Sequence, residues 1–592
     1  MSDHPVAHTP GQVAHETHHE PQGFLRKYVF STNHKVIGIQ FLFSGLLWML
    51  IGGLLAMLVR HKLAWPEGHI PVLGDALFKG NQGVMDDASY NMFFTMHASV
   101  MIFLVIIPTL VGAFGNYLIP LQIGARDMAF PTLNMISYWM MWPAYACFIA
   151  SFLVEGGAAT GGWTAYPPIS VLEGQGQLGQ TLWAAGVICV GWSSVMGAIN
   201  YITTIIKLRA PGMTFFRMPL AVWSLFVTAI LTLLATPVLA SAMICLILER
   251  VVGTSFFMTA NVFVGGTELA HSGGMPLLWQ HMFWFYSHPA VYIMILPAMG
   301  MVSDIISTFA RKPLFGYRPM VYSLCAIAGL GFVVWGHHMF QSGMNPYLGM
   351  TFMISTTMIA LPSAVKVFNW LGTLWGGQIR FTAAMLNAVA FVGMFIIGGL
   401  SGVFMASTPV DVQLHDTYFI VAHLHYVLFG GSMFGIFAGI YMWYPKMFGR
   451  CMNERLGRWH FGGTFIFFNI TFFTMHYIGL MGMQRRIGVP SNFELLKPLQ
   501  PWQILMTVSA FCLFLFQILF IINFFRSFKH GEKAGDNPWE SNSLEWACSS
   551  PPWHENFEVI PTVYRGPYEY ASPEVEEDYL PQSRDTKQEP AS

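Results

Sequence analysis

The stretch at residues 421–431, "VAHLHYVLFGG", places two histidines one residue apart inside a run of apolar and aromatic residues. Successive residues of an α-helix are turned by about 100°, so His423 and His425 point about 200° apart. One metal ion cannot bind both imidazoles from one face of the helix. A buried imidazole needs a hydrogen-bond partner or a metal, and two cofactors flanking one helix would satisfy both residues.

Other apolar segments contain further histidines. His97 lies in "FFTMHASVMIFLVIIP", His288 in "FWFYSHPAVYIMILP", and His337 and His338 in "VVWGHHMF". A hydrogen bond to a neighbouring helix would explain any one of these residues alone. Six histidines on four predicted spans favour metal ligation instead, because polar residues inside membrane helices are costly and are usually functional.

The composition indicates that most of the chain lies in lipid. The 592 residues are 54% hydrophobic and only 10% charged, whereas soluble proteins average about 25% charged residues. A helix needs roughly 20 apolar residues to cross the hydrocarbon layer. The pattern therefore predicts an all-α integral membrane protein with about twelve transmembrane helices, at 36–59, 91–118, 133–153, 179–206, 219–248, 277–303, 319–340, 349–372, 382–405, 417–444, 461–484 and 502–526.

The distribution of lysine and arginine predicts the orientation of these spans, since both residues are enriched in cytoplasmic loops. Cations precede the first span and recur after the even-numbered spans, at Arg126, Lys207, Arg209, Arg217, Arg311, Lys312, Arg318, Arg380, Lys446, Arg450, Arg455 and Arg458. Both termini are therefore predicted to be cytoplasmic.

Three segments follow from this topology: an N-terminal cytoplasmic arm (1–34), a twelve-helix core (35–526) and a cytoplasmic C-terminal extension (527–592). The arm carries His4, His8, His15, His18 and His19, and it fits a flexible polar terminus better than a metal site. The net charge of −1 gives no support for nucleic-acid binding.

Several long motifs resemble subunit I of the haem-copper oxidases, the terminal cytochrome c oxidase family: "STNHK", "GNYLIPLQIGARDMAFP", "GGWTAYPP", "SHPAVYIMILP", "RKPLFGY", "WGHHMF", "HDTYFIVAHLHYVLFGG" and "YRGPYEY". The resemblance runs from about Phe24 to beyond Tyr568. It implies a catalytic subunit that reduces O2 to water and pumps protons.

The resemblance also assigns the metal ligands. It implies that His97 and His425 are the axial ligands of a six-coordinate low-spin haem and that His423 holds a five-coordinate haem. The open side of that second haem would face a copper ion bound by the remaining histidines, His288, His337 and His338. Tyr292 follows His288 by four residues and so lies on the same helix face; in the family this tyrosine supplies an electron and a proton.

A second group of residues is expected at the other membrane surface. Arg485, Arg486 and Trp163 match the family's haem-propionate site, since guanidinium groups pair well with carboxylates. The acids and histidine that resemble the propionate-side and magnesium sites are Asp411, His415 and Asp416; taken alone, a His-Asp pair at a helix start is equally consistent with a cap.

Arg60 aligns with the arginine that binds a formyl group of the low-spin haem, which implies haem of the A type. A positive charge that merely closes the first span is the alternative.

An enzyme that takes up protons needs polar residues inside its apolar helices to carry them. Lys366 shares a helix face with Thr356 and Ser363, and with Ser303 these residues resemble the family's lysine path to Tyr292. Snorkelling of the lysine is the alternative. A second path is expected to start at Asp127 and to pass the polar residues Asn116, Asn134, Ser193 and Ser194.

Two positions depart from the family pattern on this second path. Met135 replaces the second of two adjacent asparagines, and Ala290 stands where the family usually has a glutamate that relays protons. Tyr286 is four residues before Ala290 and therefore lies on nearly the same face. The segment "YSHPAVY" resembles a family variant in which Tyr286 and Ser287 replace the missing carboxyl group.

These expectations define a terminal oxidase of the bacterial inner (plasma) membrane, in contact with membrane lipid. Electrons would come from cytochrome c through a dicopper centre on subunit II, and subunit III and small subunits would complete the complex. A quinol oxidase of the same family is the closest alternative. A nitric oxide reductase is disfavoured by Tyr292 and Lys366, and a haem-free transporter by the histidines.

Overall fold

A computed structural model describes residues 23–172, 178–264, 266–268 and 273–586. The histidine-rich part of the predicted N-terminal arm, residues 1–22, lies outside the described residues.

The described part of the chain is almost wholly helical. Its α-helices are α1 (His34–Ala64), α2 (Gly74–Leu77), α3 (Asp87–Val100), α4 (Asn116–Ile123), α5 (Pro131–Trp139), α6 (Met141–Ser151), α7 (Ile169–Leu172), α8 (Leu178–Lys207), α9 (Leu220–Val251), α10 (Pro276–Ala310), α11 (Tyr317–Leu330), α12 (Pro346–Met358), α13 (Ala360–Leu374), α14 (Ala383–Ala406), α15 (Thr408–Leu414), α16 (Tyr418–Val427), α17 (Phe434–Phe448), α18 (Glu454–Leu480) and α19 (Gln500–His530). Two strands, β1 (Phe263–Val264) and β2 (Thr267–Glu268), form one antiparallel pair.

Ten helices within the described ranges are long and apolar enough to cross a bilayer. They are His34–Ala64, Asp87–Ile123, Leu178–Lys207, Leu220–Val251, Pro276–Ala310, Pro346–Leu374, Ala383–Ala406, Tyr418–Phe448, Glu454–Leu480 and Glu494–His530. The prediction of an all-α membrane protein is confirmed. π-Helical turns join α3 to α4 and α16 to α17, at Met101–Ile106, Pro108–Gly115 and Leu428–Met433, and so lengthen two of these spans.

The other two predicted spans are interrupted helices. The segment 133–153 divides into α5 and α6 at Met140, because Pro143 has no N–H for the carbonyl four residues earlier and its ring crowds that turn. The segment 319–340 ends its α-helix at Leu330 and continues as a 3₁₀-helix, Trp335–Met339. A Cβ on Gly331 would lie 3.0 Å from the Tyr292 ring, so glycine permits the close approach of this turn to α10.

The centre of the bundle is α10, which packs against α9, α14 and α17. Its residues from Ile293 to Ala310 are all buried. Because α10 also carries His288 and Tyr292, these two candidate residues lie in the interior of the bundle.

The C-terminal extension is folded against one end of the bundle, called the extension end below. Lys446 at the end of α17 donates from Nζ to the carbonyl oxygens of Asp536 (2.9 Å), Cys548 (2.6 Å) and Ser549 (3.2 Å). Arg311, at the end of α10, pairs with Asp578. The extension therefore covers the helix ends instead of hanging free.

Asn556 of the extension is fully buried between the start of α1 and the loop after α4. Its Oδ1 lies 2.6 Å from Lys35 Nζ and 3.0 Å from His34 Nε2. Its Nδ2 donates to the carbonyl oxygens of Ala125 (2.8 Å) and Arg126 (3.0 Å). One side chain thus ties three separate parts of the chain together.

Replacing this side chain in Asn556→Ala should loosen the extension. The change removes these hydrogen bonds and leaves buried groups of His34 and Lys35 without this partner, a loss of about 2–3 kcal/mol. Limited proteolysis should cleave the extension faster, and the melting temperature should fall. Asn81→Ala, at an exposed residue whose side chain donates to the Val84 carbonyl oxygen, is the control; equal proteolysis of both variants would contradict the expectation.

Candidate active site

The two histidines of α16 contact different helices. Nδ1 of His423 lies 2.9 Å from the carbonyl oxygen of Gly398 and 3.0 Å from Ser401 Oγ, both on α14. The His425 ring stacks on Phe472 of α18, with ring centres 4.3 Å apart, and its Nδ1 lies 2.8 Å from the Val421 carbonyl oxygen. The opposite orientation predicted from the helical spacing is present in the structure.

Hydrogen bonds to backbone carbonyl groups determine which nitrogen of these rings carries the proton. Nδ1 of His97 lies 2.8 Å from the Gly52 carbonyl oxygen, in the same arrangement as His423 and His425. A carbonyl oxygen only accepts, so Nδ1 must donate, and Nε2 of the neutral ring keeps its lone pair. A hydrogen bond of this kind orients a histidine for metal binding.

His97 and His425 face each other. Their ring planes differ by 5° and their centres are 6.4 Å apart. A metal–imidazole nitrogen bond is about 2 Å long and a ring nitrogen lies roughly 1 Å from the ring centre, so two imidazoles on opposite sides of one ion have centres about 6 Å apart. The pair therefore fits two axial ligands of a single haem iron.

The space between these helices fits a large apolar group. A cavity of about 280 Å³ adjoins both His97 and His425 and is lined mainly by apolar side chains. The arginines in its lining are Arg60, Arg485 and Arg486, which the sequence analysis assigned to the haems. Trp163 is one of its aromatic residues. Two imidazoles and three guanidinium groups in this apolar lining match the chemistry of haem, which has an iron ion, an apolar ring and two carboxylates.

Three other histidines form a second cluster. One nitrogen from each of His288, His337 and His338 lies within 4.8 Å of the others, and His288 Nε2 is buried without a hydrogen-bond partner among the described residues. Three neutral imidazoles suit copper or zinc. The Tyr292 ring lies 4.8 Å from the His288 ring, centre to centre, so the tyrosine adjoins the cluster.

The cluster is held in place by Trp284 and Tyr166, which the sequence analysis missed, and by Thr356, which it had placed on the lysine path. The Trp284 ring is parallel to the His338 ring within 6°, with centres 3.7 Å apart, and its Nε1 donates to the Tyr166 hydroxyl at 2.6 Å. Thr356 Oγ1 lies 3.0 Å from His337 Nδ1. Trp284 stands in "FWFYSHP", four residues before His288, and this i, i+4 spacing was the available signal.

Histidines are more numerous in the spanning helices than the six that the sequence analysis counted. His281 lies on α10, and His460 and His476 lie on α18. His281 Nδ1 accepts from Trp335 Nε1 at 3.2 Å, and His460 lies 3.2 Å from the Tyr441 hydroxyl. Number alone therefore does not separate ligands from hydrogen-bonded core residues; geometry does.

Ion-pair contacts connect some of the predicted propionate and magnesium residues, of which Trp163, Arg485 and Arg486 line the cavity. Arg485 forms an ion pair with Asp416, and His415 Nδ1 lies 3.5 Å from Asp411 Oδ2. Burial alone would raise the pKa of Asp416, but the guanidinium group of Arg485 holds it below its usual value. Arg486 donates to Thr164 Oγ1 at 3.2 Å.

Arg60 points into the protein instead of towards a membrane surface. Its side chain is buried, and Nη2 donates to the carbonyl oxygen (2.8 Å) and Oε1 (3.0 Å) of Gln503 and to Thr507 Oγ1 (3.0 Å). Nε and Nη1 are buried without partners among the described residues. These two donors need a hydrogen-bond acceptor, which a cofactor in the adjoining cavity would provide.

Lys366 is fully buried, and within the described residues its Nζ has no hydrogen-bond partner. It lies 5.5 Å from the centre of the Trp370 ring, whose Nε1 donates to Ser303 Oγ at 2.9 Å. The interpretation of Lys366 as a snorkelling residue does not fit this burial. Thr356 is on α12, whereas Ser363 and Lys366 are on α13, so the predicted shared face crosses a helix break.

The residues of the second predicted path also leave polar atoms unpaired. Both amide atoms of Asn134, Oδ1 of Asn116 and the Ser287 hydroxyl are buried without partners among the described residues. Tyr286 is buried on the same helix as Ser287. Buried polar atoms of this kind commonly bind internal water.

Asp127 lies at the extension end, outside the spanning helices. Burial raises the pKa of its carboxyl group to about 6, against the opposing effects of the Met128 N–H and the Lys35 ammonium group. This acid can therefore gain and lose a proton near neutral pH.

Comparisons with known proteins agree with this geometry. The family model described as "Cytochrome C and Quinol oxidase polypeptide I" matches residues 36–512. The chain belongs to this family. It is similar to cytochrome c oxidase subunit 1 of Thermostichus vulcanus, with 47% identity over 544 residues and 92% of each chain covered. It is 41% identical to the alternative cytochrome c oxidase subunit 1 of Bradyrhizobium diazoefficiens over 580 residues, 97% of this chain and 96% of the relative.

A solved heme-copper terminal oxidase shares the fold, with a TM-score of 0.70, 18% identity and 85% of each chain covered. Membership of the family confirms the expectation of a haem-copper oxidase catalytic subunit, a multi-pass membrane enzyme that contains haem and copper and works with other subunits.

The packing of His423 generates a prediction. A Cβ on Gly402 would lie 2.9 Å from His423 Cε1, and overpacking of this kind costs about 1–3 kcal/mol. Gly402→Ala should therefore displace the imidazole and lower the haem content of the purified complex, measured by its absorption spectrum. In the control Gly399→Ala, the added Cβ meets nothing within 4 Å; an unchanged spectrum for Gly402→Ala would contradict the expectation.

Proposed function

We propose that this subunit reduces O2 to water with electrons from cytochrome c and couples the reaction to proton pumping. The observation that carries the proposal is the buried cluster of His288, His337 and His338 beside Tyr292. These three imidazoles would hold copper, which with a neighbouring haem iron would supply electrons to O2. Relatives whose names identify them as cytochrome c oxidase subunits support the choice of donor.

The proposed ligands follow from the free nitrogens. His97 and His425 would hold the low-spin haem, and His423 would hold the second haem, because each ring donates from Nδ1 and keeps the Nε2 lone pair. The three clustered histidines would hold copper. The buried, unpaired Nε and Nη1 of Arg60 support a haem with a hydrogen-bond acceptor at its edge, as in haem of the A type.

The cluster of arginines and acids beside the cavity would bind the haem propionates and magnesium. Arg485, Arg486 and Trp163 line the cavity and are proposed to bind the propionates, with Asp411 nearby. The magnesium ligands would be His415 and Asp416, of which the carboxylate is the harder donor and suits this ion better.

The lysine path is proposed to bring protons to Tyr292. Lys366 Nζ is buried and has no partner among the described residues, and a lysine in such a site can accept and release a proton. The hydroxyl groups of Ser363, Thr356 and Ser303 would carry the proton between water molecules. Thr356 contacts the histidine cluster, which supports this direction.

The second path is proposed to begin at Asp127 and to continue past Asn116 and Asn134. The unpaired polar atoms of these asparagines support ordered water between them. Tyr286 and Ser287 would end the path, since Ala290 offers no carboxyl group.

The complex is proposed to lie in a bacterial inner membrane with both termini in the cytoplasm, so that the extension end is cytoplasmic. Residues 1–34, 35–526 and 527–592 are proposed as arm, core and extension. Subunit II with a dicopper centre, subunit III and small subunits are the proposed partners. The bacterial origin of the relatives supports this location.

Oxygen uptake by the purified complex tests the proposed function. Reduced cytochrome c should drive cyanide-sensitive uptake and reduced quinol should not. His288→Ala should abolish uptake and lower the copper content by one ion per complex, because three-coordinate binding loses a ligand. His281→Ala, on the same helix, is the control. Uptake driven by quinol alone would overturn the choice of donor, and unchanged copper in His288→Ala would overturn the site.

Replacing Tyr286 tests the end of the second path. Tyr286→Phe keeps the packing but removes the hydroxyl, and loss of a positioned proton carrier typically slows a reaction about 10²–10⁴-fold. Turnover or the ratio of protons pumped to electrons should fall sharply. Tyr322→Phe, at an exposed position on α11, is the control; normal turnover with a normal proton-to-electron ratio would contradict the assignment.

A further inference from the structure

Two carboxyl groups are buried together at the extension end, away from the haem and copper ligands. Glu545 comes from the C-terminal extension and Asp304 from α10, and their residues are 1% and 5% exposed. Nε2 of Gln122, on α4, donates to Glu545 Oε1 at 3.0 Å and lies 3.4 Å from Asp304 Oδ2. Both acids therefore contact the same amide nitrogen.

Only neutral groups donate to this acid pair in the described part of the chain. Trp443 Nε1 donates to Glu545 Oε1 at 3.3 Å. The Tyr568 hydroxyl accepts from the Leu220 N–H at 2.7 Å and donates to Asp304. No ion pair within the described residues involves either acid, since Lys446, which faces Glu545 from α17, instead donates to backbone carbonyl groups.

Two buried oxygen atoms in this pocket accept no hydrogen bond from the described residues. These atoms are Glu545 Oε2 and Gln122 Oε1. Gln122 as a whole is fully buried. A carboxylate oxygen and an amide oxygen can only accept, so neither satisfies the other. A proton on the carboxyl group would convert one of these two acceptors into a donor.

Burial of two negative charges that form no ion pair among the described residues is unfavourable. Acids that share a site cannot both ionise, and one of them then keeps its proton. Burial, the largest effect, raises the pKa of Glu545 despite the opposing hydrogen bonds from Gln122 and Trp443. Besides Lys446, the titratable groups that face the pair are Cys548, Tyr568 and Tyr317, and all three are neutral at neutral pH.

We propose that Glu545 and Asp304 form a proton-binding site that holds one proton between the two carboxyl groups at neutral pH. The site lies between α4 and α10, the helices that carry Asn116 and Ser303 of the two proposed paths, but it belongs to neither path. It does not depend on the proposed electron donor or substrate.

Infrared spectroscopy of the intact complex tests the site directly. At neutral pH the wild type should show one carbonyl stretching band of a protonated carboxyl group that is missing from both Glu545→Gln and Asp304→Asn, since each variant leaves a single acid that can ionise beside neutral donors. The exposed extension residue Glu558 provides the control, Glu558→Gln, which should keep the band. A band lost from neither variant, or a separate band retained by each, would overturn the proposal.

Isotope labelling of the wild type and the pH dependence of stability provide a second test. Labelling the wild-type complex with ¹³C-glutamate should shift or split the band. In a separate titration, the band should disappear as the pH rises. The folded state binds more protons than the unfolded chain, so stability falls with rising pH until the folded state has lost the proton. Glu545→Gln should reduce this alkaline slope by about one proton; an unchanged slope together with a label-insensitive spectrum would contradict the site.

Discussion

A hydrogen bond from Nδ1–H to a backbone carbonyl group is the constraint on which the arrangement of the three proposed haem ligands depends. His97, His423 and His425 each form one, with Gly52, Gly398 and Val421. The bond fixes the tautomer and the direction of the ring at once, so that the lone pair on Nε2 points away from the backbone. A residue without this bond would rotate about its side-chain torsions and present either nitrogen.

Small residues make these bonds and contacts available. The backbone of α14 approaches α16 closely because Gly398 and Gly402 have no side chains; a Cβ at either position would lie 2.9 Å from an atom of α16. Gly331 has the same effect beside Tyr292. Close helix approach through small residues is common in membrane bundles, where apolar area alone does not drive association.

Several buried polar atoms without partners belong to residues that are proposed here to carry protons. Lys366, Asn134, Ser287 and Glu545 all have buried atoms without partners in the described structure. A polar atom without a partner is costly in lipid, so such atoms persist where water, a proton or a cofactor provides the missing partner. The C-terminal extension contributes to this pattern, because it both buries Glu545 and covers the start of α1 with Asn556.

Composition and residue spacing were enough to predict the membrane class, most spans, and the opposite orientation of His423 and His425, because these depend on local helix geometry and on the lipid solvent. Motif resemblance gave the family, which the comparisons confirmed. Local pattern did not reveal that segment 319–340 breaks before His337, that Trp284 stacks on His338, or that Glu545 meets Asp304. Contacts between residues far apart in the chain arise from packing of whole helices, and no periodicity within one segment encodes which distant side chain will meet it.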